Sequence, residues 1–229
     1  MTFIAALMVM IVLGSIITLL LYVTQGQRRR LMNRLSRQHD YDYQHLAALD
    51  QDTRSAGFML FTAGQSRHVR HQVSGTLTCP DNRQSHFKSF DYSVVTPSGM
   101  CTQSVLIIET GRHASGAFYI SPHNGLQTDL FVDHPPNQQP SLNPLPAGVT
   151  PEALIHHQIL AEYPAQLTPL LQAGLLDWLM AHPDVTIEYA SSLLMVYRPE
   201  FLLDPEHIPT ALMELATLNT SFDRQTSQR

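Results

Sequence analysis

Few residues in this chain have the type and spacing to do chemistry, so each set is weighed against what its reaction would need. Asp50-Gln51-Asp52-Thr53 has the spacing of the nucleophile and acid of an aspartyl-phosphate phosphatase. That chemistry also requires a lysine to hold the phosphoryl group and a later acidic cluster for magnesium. Lys88 is the sole lysine, no paired-aspartate loop follows, and Leu46 to Leu49 lacks the β-branched residues of a buried strand. Asp50 and Asp52 therefore read as a solvated helix end.

Twelve histidines invite a metal reading. His68 and His71 are three apart, His156 and His157 are adjacent, and His39 and His45 flank Asp40 and Asp42. Zinc needs three or four converging ligands, usually at recognisable spacings, and neither His-Glu-x-x-His nor Cys-x-x-Cys occurs. Strand alternation would also put His68 and His71 on opposite faces. No Gly-x-Ser-x-Gly elbow and no glycine-rich phosphate loop is present, and Ser98-Gly99 and Ser115-Gly116 read as turns. Asp91 is the one acid that stands out, because alternation places it opposite Phe90 and Tyr92, at what reads as an exposed strand position. These sets assign no catalytic, cofactor-binding or metal-ligating residue.

The elements that would carry such residues begin with an apolar run from Thr2 to Val23 that contains no charge. As a helix it would be ~33 Å long at ~1.5 Å per residue, enough for the hydrocarbon core of a bilayer. Phe3, Ile4, Leu7, Ile11, Leu13, Ile17, Leu20, Leu21 and Tyr22 form its apolar surface. A cleaved signal would need a preceding basic stretch and a small-residue cleavage site, and neither is there. Arg28, Arg29, Arg30, Arg34 and Arg37 follow the run, while no side-chain cation precedes it. The positive flank stays inside, which predicts a bacterial inner-membrane, single-pass protein with its N-terminus out and its domain cytoplasmic. Gly14 and Thr18 make a small-x-x-x-small pair that could bring two such helices together as a homodimer.

Beyond the anchor, residues 25–54 read as a basic helical extension reaching Leu49. Residues 55–133 read as an antiparallel β region with strands at Phe58–Phe61, Val69–Cys79, Phe87–Val95, Cys101–Glu109, Ala117–Ile120 and Leu130–Val132. The Val105–Ile108 run suggests a central strand buried on both faces. Residues 134–150 form a proline-rich linker. Residues 151–222 read as a helix–β-hairpin–helix unit packed on the β region, followed by a polar tail at 223–229. Thr150-Pro151, Thr168-Pro169 and Asp204-Pro205 each place a capping side chain before a proline suited to a first helical position. The hairpin is expected to turn at Ser191-Ser192. The fold class expected is α+β.

The segments Ser74-Gly75, Phe90-Asp91-Tyr92, Gln103-Ser104-Val105, Trp178-Leu179, Val185 to Glu188, Leu193-Leu194 and Tyr197-Arg198 carry a resemblance. Over Phe58 to Leu218 the chain resembles a diffuse group of uncharacterised bacterial membrane-anchored proteins. The resemblance implies this topology and an N-terminal anchor, and it implies no activity.

From Ser55 onward fifteen acids face eight bases, so the domain offers no basic face for nucleic acid. Cys79 and Cys101 are expected to be reduced in a cytoplasmic domain, with a disulfide between them plausible only if the orientation were reversed. The function expected is a non-enzymatic interaction or scaffold role, with the lipid bilayer and an unknown membrane or cytoplasmic protein as partners and no cofactor. A metal-dependent enzyme or sensor using the histidines is the alternative.

Overall fold

The computed structural model describes residues 2–97, 99–110, 116–122, 142–146 and 151–226. Alternating apolar residues build one antiparallel sheet, whose nine described strands are β1 Asp42–Ala47, β2 Gln65–Thr78, β3 Gln84–Thr96, β4 Gly99–Glu109, β5 Phe118–Pro122, β6 Asn143–Pro144, β7 His157–Ala161, β8 Thr186–Ala190 and β9 Leu193–Tyr197. Their order is β1-β2-β3-β4-β9-β8-β5-β7-β6. Strands β2, β3 and β4 form the expected meander, and β1 extends it by pairing with β2. The hairpin β8–β9 does not pack on the sheet as a separate unit. It completes the sheet, because β9 pairs with β4 from Val105↔Tyr197 to Glu109↔Leu193. The Val105–Ile108 run is therefore central, with Val105 and Ile107 in one core and Leu106 and Ile108 in the other.

Those two cores lie on opposite faces. One holds Phe58, Leu60, Phe61, Phe90, Tyr92 and Met195, beneath the short helices α2 (Gln51–Ser55) and α3 (Met59–Thr62). The other holds Phe87, Leu106, Leu194 and Val196 together with residues of the long helix α1 (Thr2–His39) and of α4 (Pro164–Leu170), α5 (Leu176–Ala181) and α6 (Ile208–Thr226). A π-helical stretch, Leu171–Leu175, joins α4 to α5.

Several expectations need correcting. The helical extension stops at His39, and Asp42–Ala47, expected as helix, is strand β1. Asp42, Gln44 and Leu46 alternate with half-buried Tyr43, His45 and Ala47, a period of two that the leucines at 46 and 49 obscured. Phe58–Phe61 is a cap and one helical turn, because its residues fold back under the sheet. Pro151 precedes only a short 3-10 turn, Glu152–Leu154, before the unanticipated strand β7, and Thr150 lies outside the described residues. Pro169 lies inside α4, whose start is at Pro164. The tail is helical as far as Thr226. The expected strand Leu130–Val132, Ser98 and Ser115 of the turns, and most of the proline-rich linker lie outside the described residues.

The backbone from Thr2 to His39 is one continuous helix of 38 residues. The side chains of Phe3, Ile4, Leu7, Ile11, Ile17, Thr18, Leu20, Leu21 and Tyr22 lie outside the described residues. Leu13 is exposed, and a side chain added at Gly14 would meet nothing within 4 Å. Among the described residues no helix is long and apolar enough to cross a membrane, so the span rests on the sequence run alone.

Candidate functional site

Helical spacing puts Arg28, Met32 and Leu35 on one stripe of α1, and all three turn toward the sheet. Met32 and Leu35 enter the core with Val73 and Phe87. Arg28 meets Asp91, whose buried carboxylate accepts from its Nε at 2.5 Å and its Nη2 at 2.6 Å. Ser104, directly across the ladder on β4, donates to Asp91 at 3.0 Å and accepts from Arg28 at 3.0 Å. Ser104 Oγ also accepts from the Leu203 amide, and Arg28 Nη1 donates to the Leu203 carbonyl. The fork-on-carboxylate geometry is the strong form of an ion pair. It ties α1, β3, β4 and the loop before α6 at one point. Asp91 is therefore a buried anchor, correcting its reading as an exposed strand residue. Alternation correctly set it opposite Phe90 and Tyr92, but the sequence could not show that a helix covers that face.

Arg28 thus differs from the rest of the basic flank. Arg29, Arg30, Arg34 and Arg37 are exposed.

A bulge shapes the neighbouring wall. On β2 the register jumps from Arg70↔Asp91 to Val73↔Ser89, so two residues of β2 face one of β3. His71 takes a left-handed φ of 53° there and is buried. A bulge re-aims side chains. As a result His68 and His71 line one cavity, against the expectation that they point to opposite faces. Tyr43 Oη lies 2.9 Å and His45 Nδ1 3.4 Å from His71 Nδ1. Burial, reinforced by nearby arginines, pushes the His71 pKa down to about 4, while Asp91 opposes the shift.

Two cavities meet at His68 and Arg70. The first, of about 380 Å³, is lined by Arg28, Arg70, His71, Thr102, Met100 and Leu202, among others. The second, of about 610 Å³, adds Arg54, Arg67 and the exposed Leu46. Three arginines, Arg54 from α2 and Arg67 and Arg70 from β2, thus converge in a domain of acidic composition, a local basic strip that a charge count averages away. A third cavity, of about 310 Å³ and more apolar, lies between Trp178, Val196, Leu203 and Ala211.

The remaining candidates take structural roles. Asp50 caps α2 by accepting from Thr53 and pairs with Lys88 at 2.5 Å. These bonds outweigh burial and hold its carboxyl at about 2. The phosphatase spacing thus meets its one lysine, but the carboxylate is already occupied by a cap and an ion pair. No group of three or more His, Cys, Asp or Glu side chains is placed to hold a metal among the described residues. Cys79 and Cys101 form no disulfide and are buried in the cores on opposite faces of the sheet. They cannot be bridged without refolding, so their redox state does not report the topology.

Sequence reasoning missed Glu188, which is fully enclosed. It accepts from the amides of Met59 and Leu60 and from the Tyr197 hydroxyl. Burial nevertheless pushes its pKa up to about 7. The Thr-Ile-Glu-Tyr-Ala strand carries this acid among apolar neighbours, and the central place of β8 was the missing information.

Fold and site together define a class: an antiparallel α+β domain riding on a long N-terminal helix, with a polar seam where helix and sheet meet. No family model matches this chain, and no curated protein matches it. A solved structure similar in fold is that of the mycobacterial trehalose monomycolate transport factor A, TtfA, at 11% identity with a TM-score of 0.57, covering 85% of this chain and 93% of that one.

Proposed function

We propose that the protein is a membrane-tethered, non-enzymatic interaction subunit: a single-pass inner-membrane protein whose α+β domain lies on the cytoplasmic side and engages a membrane-complex partner. The observation that carries this reading is the Arg28–Asp91–Ser104 junction. A tether needs only a flexible joint, yet this helix runs unbroken from the apolar run into the domain and is locked to the sheet five residues past Val23. The lock fixes the orientation of the domain against the bilayer, which matters for a subunit that must meet a partner in one pose. The fold is shared with a protein named as a transport factor, which accords with an attendant role beside other machinery. Ser104 is saturated by Asp91, Arg28 and Leu203, so it is not poised as a nucleophile.

The histidines carry the second reading. The Nδ1 atoms of His45 and His71 are 3.4 Å apart beside the Tyr43 hydroxyl, a spacing that two ligands of one metal ion could adopt. Purification of the intact protein in mild detergent, followed by metal analysis, separates the two. The interaction reading expects a membrane protein retained at fixed stoichiometry and no bound metal. Stoichiometric zinc or iron without a partner would overturn it in favour of a metal-dependent sensor or enzyme.

A further inference from the structure

Resting on the anchor reading above, we infer that the domain has its own membrane-contacting end, formed by the β3–β4 tip and the loop at 199–203, which seats anionic phospholipid headgroups in the cavity between them. Chain direction sets this end. Arg28 lies on Asp91, whereas Tyr41, beyond the helix end, packs edge-on to Phe87 at 4.8 Å between centroids. Helix α1 and strand β3 therefore run in opposite directions, and moving up α1 toward its apolar run means moving along β3 toward Thr96 and the turn into β4.

Lengths then decide how far each element reaches. From Arg28 back to Val23 is five residues, or ~7.5 Å of helix. From Asp91 forward to Val95 is four residues, or ~13 Å of strand. The interfacial layer on each side of the hydrocarbon is only ~5–8 Å thick. If the apolar run fills the hydrocarbon, the β3–β4 tip stands level with the headgroups or beyond them.

The residues at that end suit the environment. Val95 is 43% and Met100 71% exposed, and the two are paired across the ladder at the tip. Phe201 at 41% and Leu202 at 40% stand exposed on the neighbouring loop, which Arg28 and Ser104 hold through Leu203. Four exposed large apolar side chains thus gather where α1 leaves the domain. Between the two apolar rims lies the 380 Å³ cavity with Arg70, His68 and Thr102 in its wall. Arg28 is committed to Asp91, but Arg70 has no acidic partner among the described residues. A phosphate on Arg70 with acyl chains against Met100 and Leu202 matches the amphipathic order of a phospholipid, and cation attraction to anionic lipid adds to the apolar contact.

The test uses full-length protein in nanodiscs of phosphatidylcholine, with and without phosphatidylglycerol. Cys79 and Cys101 are buried, so a thiol-reactive environment-sensitive dye should ignore the parent chain and label Met100→Cys or, as a control on α5, Met180→Cys. The expected result is a label at position 100 quenched by brominated lipid and several-fold less accessible to iodide than the label at 180. Protection at 100 should increase with phosphatidylglycerol, and Arg70→Ala should remove that increase. Protein that stays in the disc with both labels equally open to iodide overturns this proposal and leaves the anchor standing. Indifference to phosphatidylglycerol overturns the headgroup seat. Protein that leaves the disc overturns the anchor and this proposal together.

Discussion

At the scale of single residues, the Arg28–Asp91 pair makes the sharpest prediction. Asp91→Asn leaves a largely buried guanidinium without its carboxylate and should cost about 2–4 kcal/mol in urea unfolding of the detergent-solubilised chain. Replacing both partners, Arg28→Met with Asp91→Leu, should recover most of that loss, because neither change then strands a charge. Two buried groups also make opposed predictions about pH. Glu188, with its pKa raised to about 7, holds a proton in the fold that the unfolded chain gives up near 4.5. Its stabilisation is full below about pH 4.5 and is lost as pH rises to about 7. His71, lowered to about 4, stays neutral in the fold where the unfolded chain charges below 6.5. Its stabilisation is full above about pH 6.5 and is lost as pH falls toward 4. The two trends therefore oppose each other between pH 4.5 and 6.5. Unfolding midpoints measured across that window separate the two. Glu188→Gln should make stability climb with pH there, and His71→Gln should make it fall. Asp91 was legible as an unusual acid because alternation marks its side of the strand. His71 was not legible, because the bulge that turns it inward leaves no trace in a period-two pattern.

At the scale of elements, the legible parts were those whose signals are local. Phe90-Asp91-Tyr92 and Val105–Ile108 declared their strands by alternation and by continuous burial. Asp204 caps Glu206, as its Asp-Pro-Glu context implied. The hairpin turned where expected, and Ser191 and Ser192 both adopt positive φ, at 50° and 65°. A two-residue loop of that geometry favours Asn-Gly. Ser191→Asn with Ser192→Gly should therefore raise stability by about 0.5–1 kcal/mol, read as a higher melting temperature with unchanged near-ultraviolet circular dichroism. The illegible elements were those decided by distant partners. Strand β1 exists because β2 offers an edge to it, and its own Leu46-Ala47-Ala48-Leu49 reads as helix. Strand β7, His157–Ala161, has only Ile159, Leu160 and Ala161 as apolar residues and is recruited by β5. The place of β8–β9 at the centre of the sheet follows from β4 pairing with a strand some ninety residues later, which no local pattern encodes.

At the scale of the whole molecule, a helix continuous from Thr2 to His39 meets a sheet whose polar seam receives it. The acidic balance of the domain argued against any basic face on it. The structure gathers Arg54, Arg67 and Arg70 on one side, so charge placement and charge total point in different directions. The cysteines on opposite faces remove thiol chemistry as a topology probe, and orientation must be read directly. The central claim is therefore tested by fusing paired reporters, a green fluorescent protein or an alkaline phosphatase, after Arg229 of the full chain and assaying carbonate-washed membranes. The account predicts membrane-retained protein with a fluorescent C-terminus and an inactive phosphatase, as five arginines on the inner side require. An active phosphatase, or release of the protein by carbonate, would contradict it.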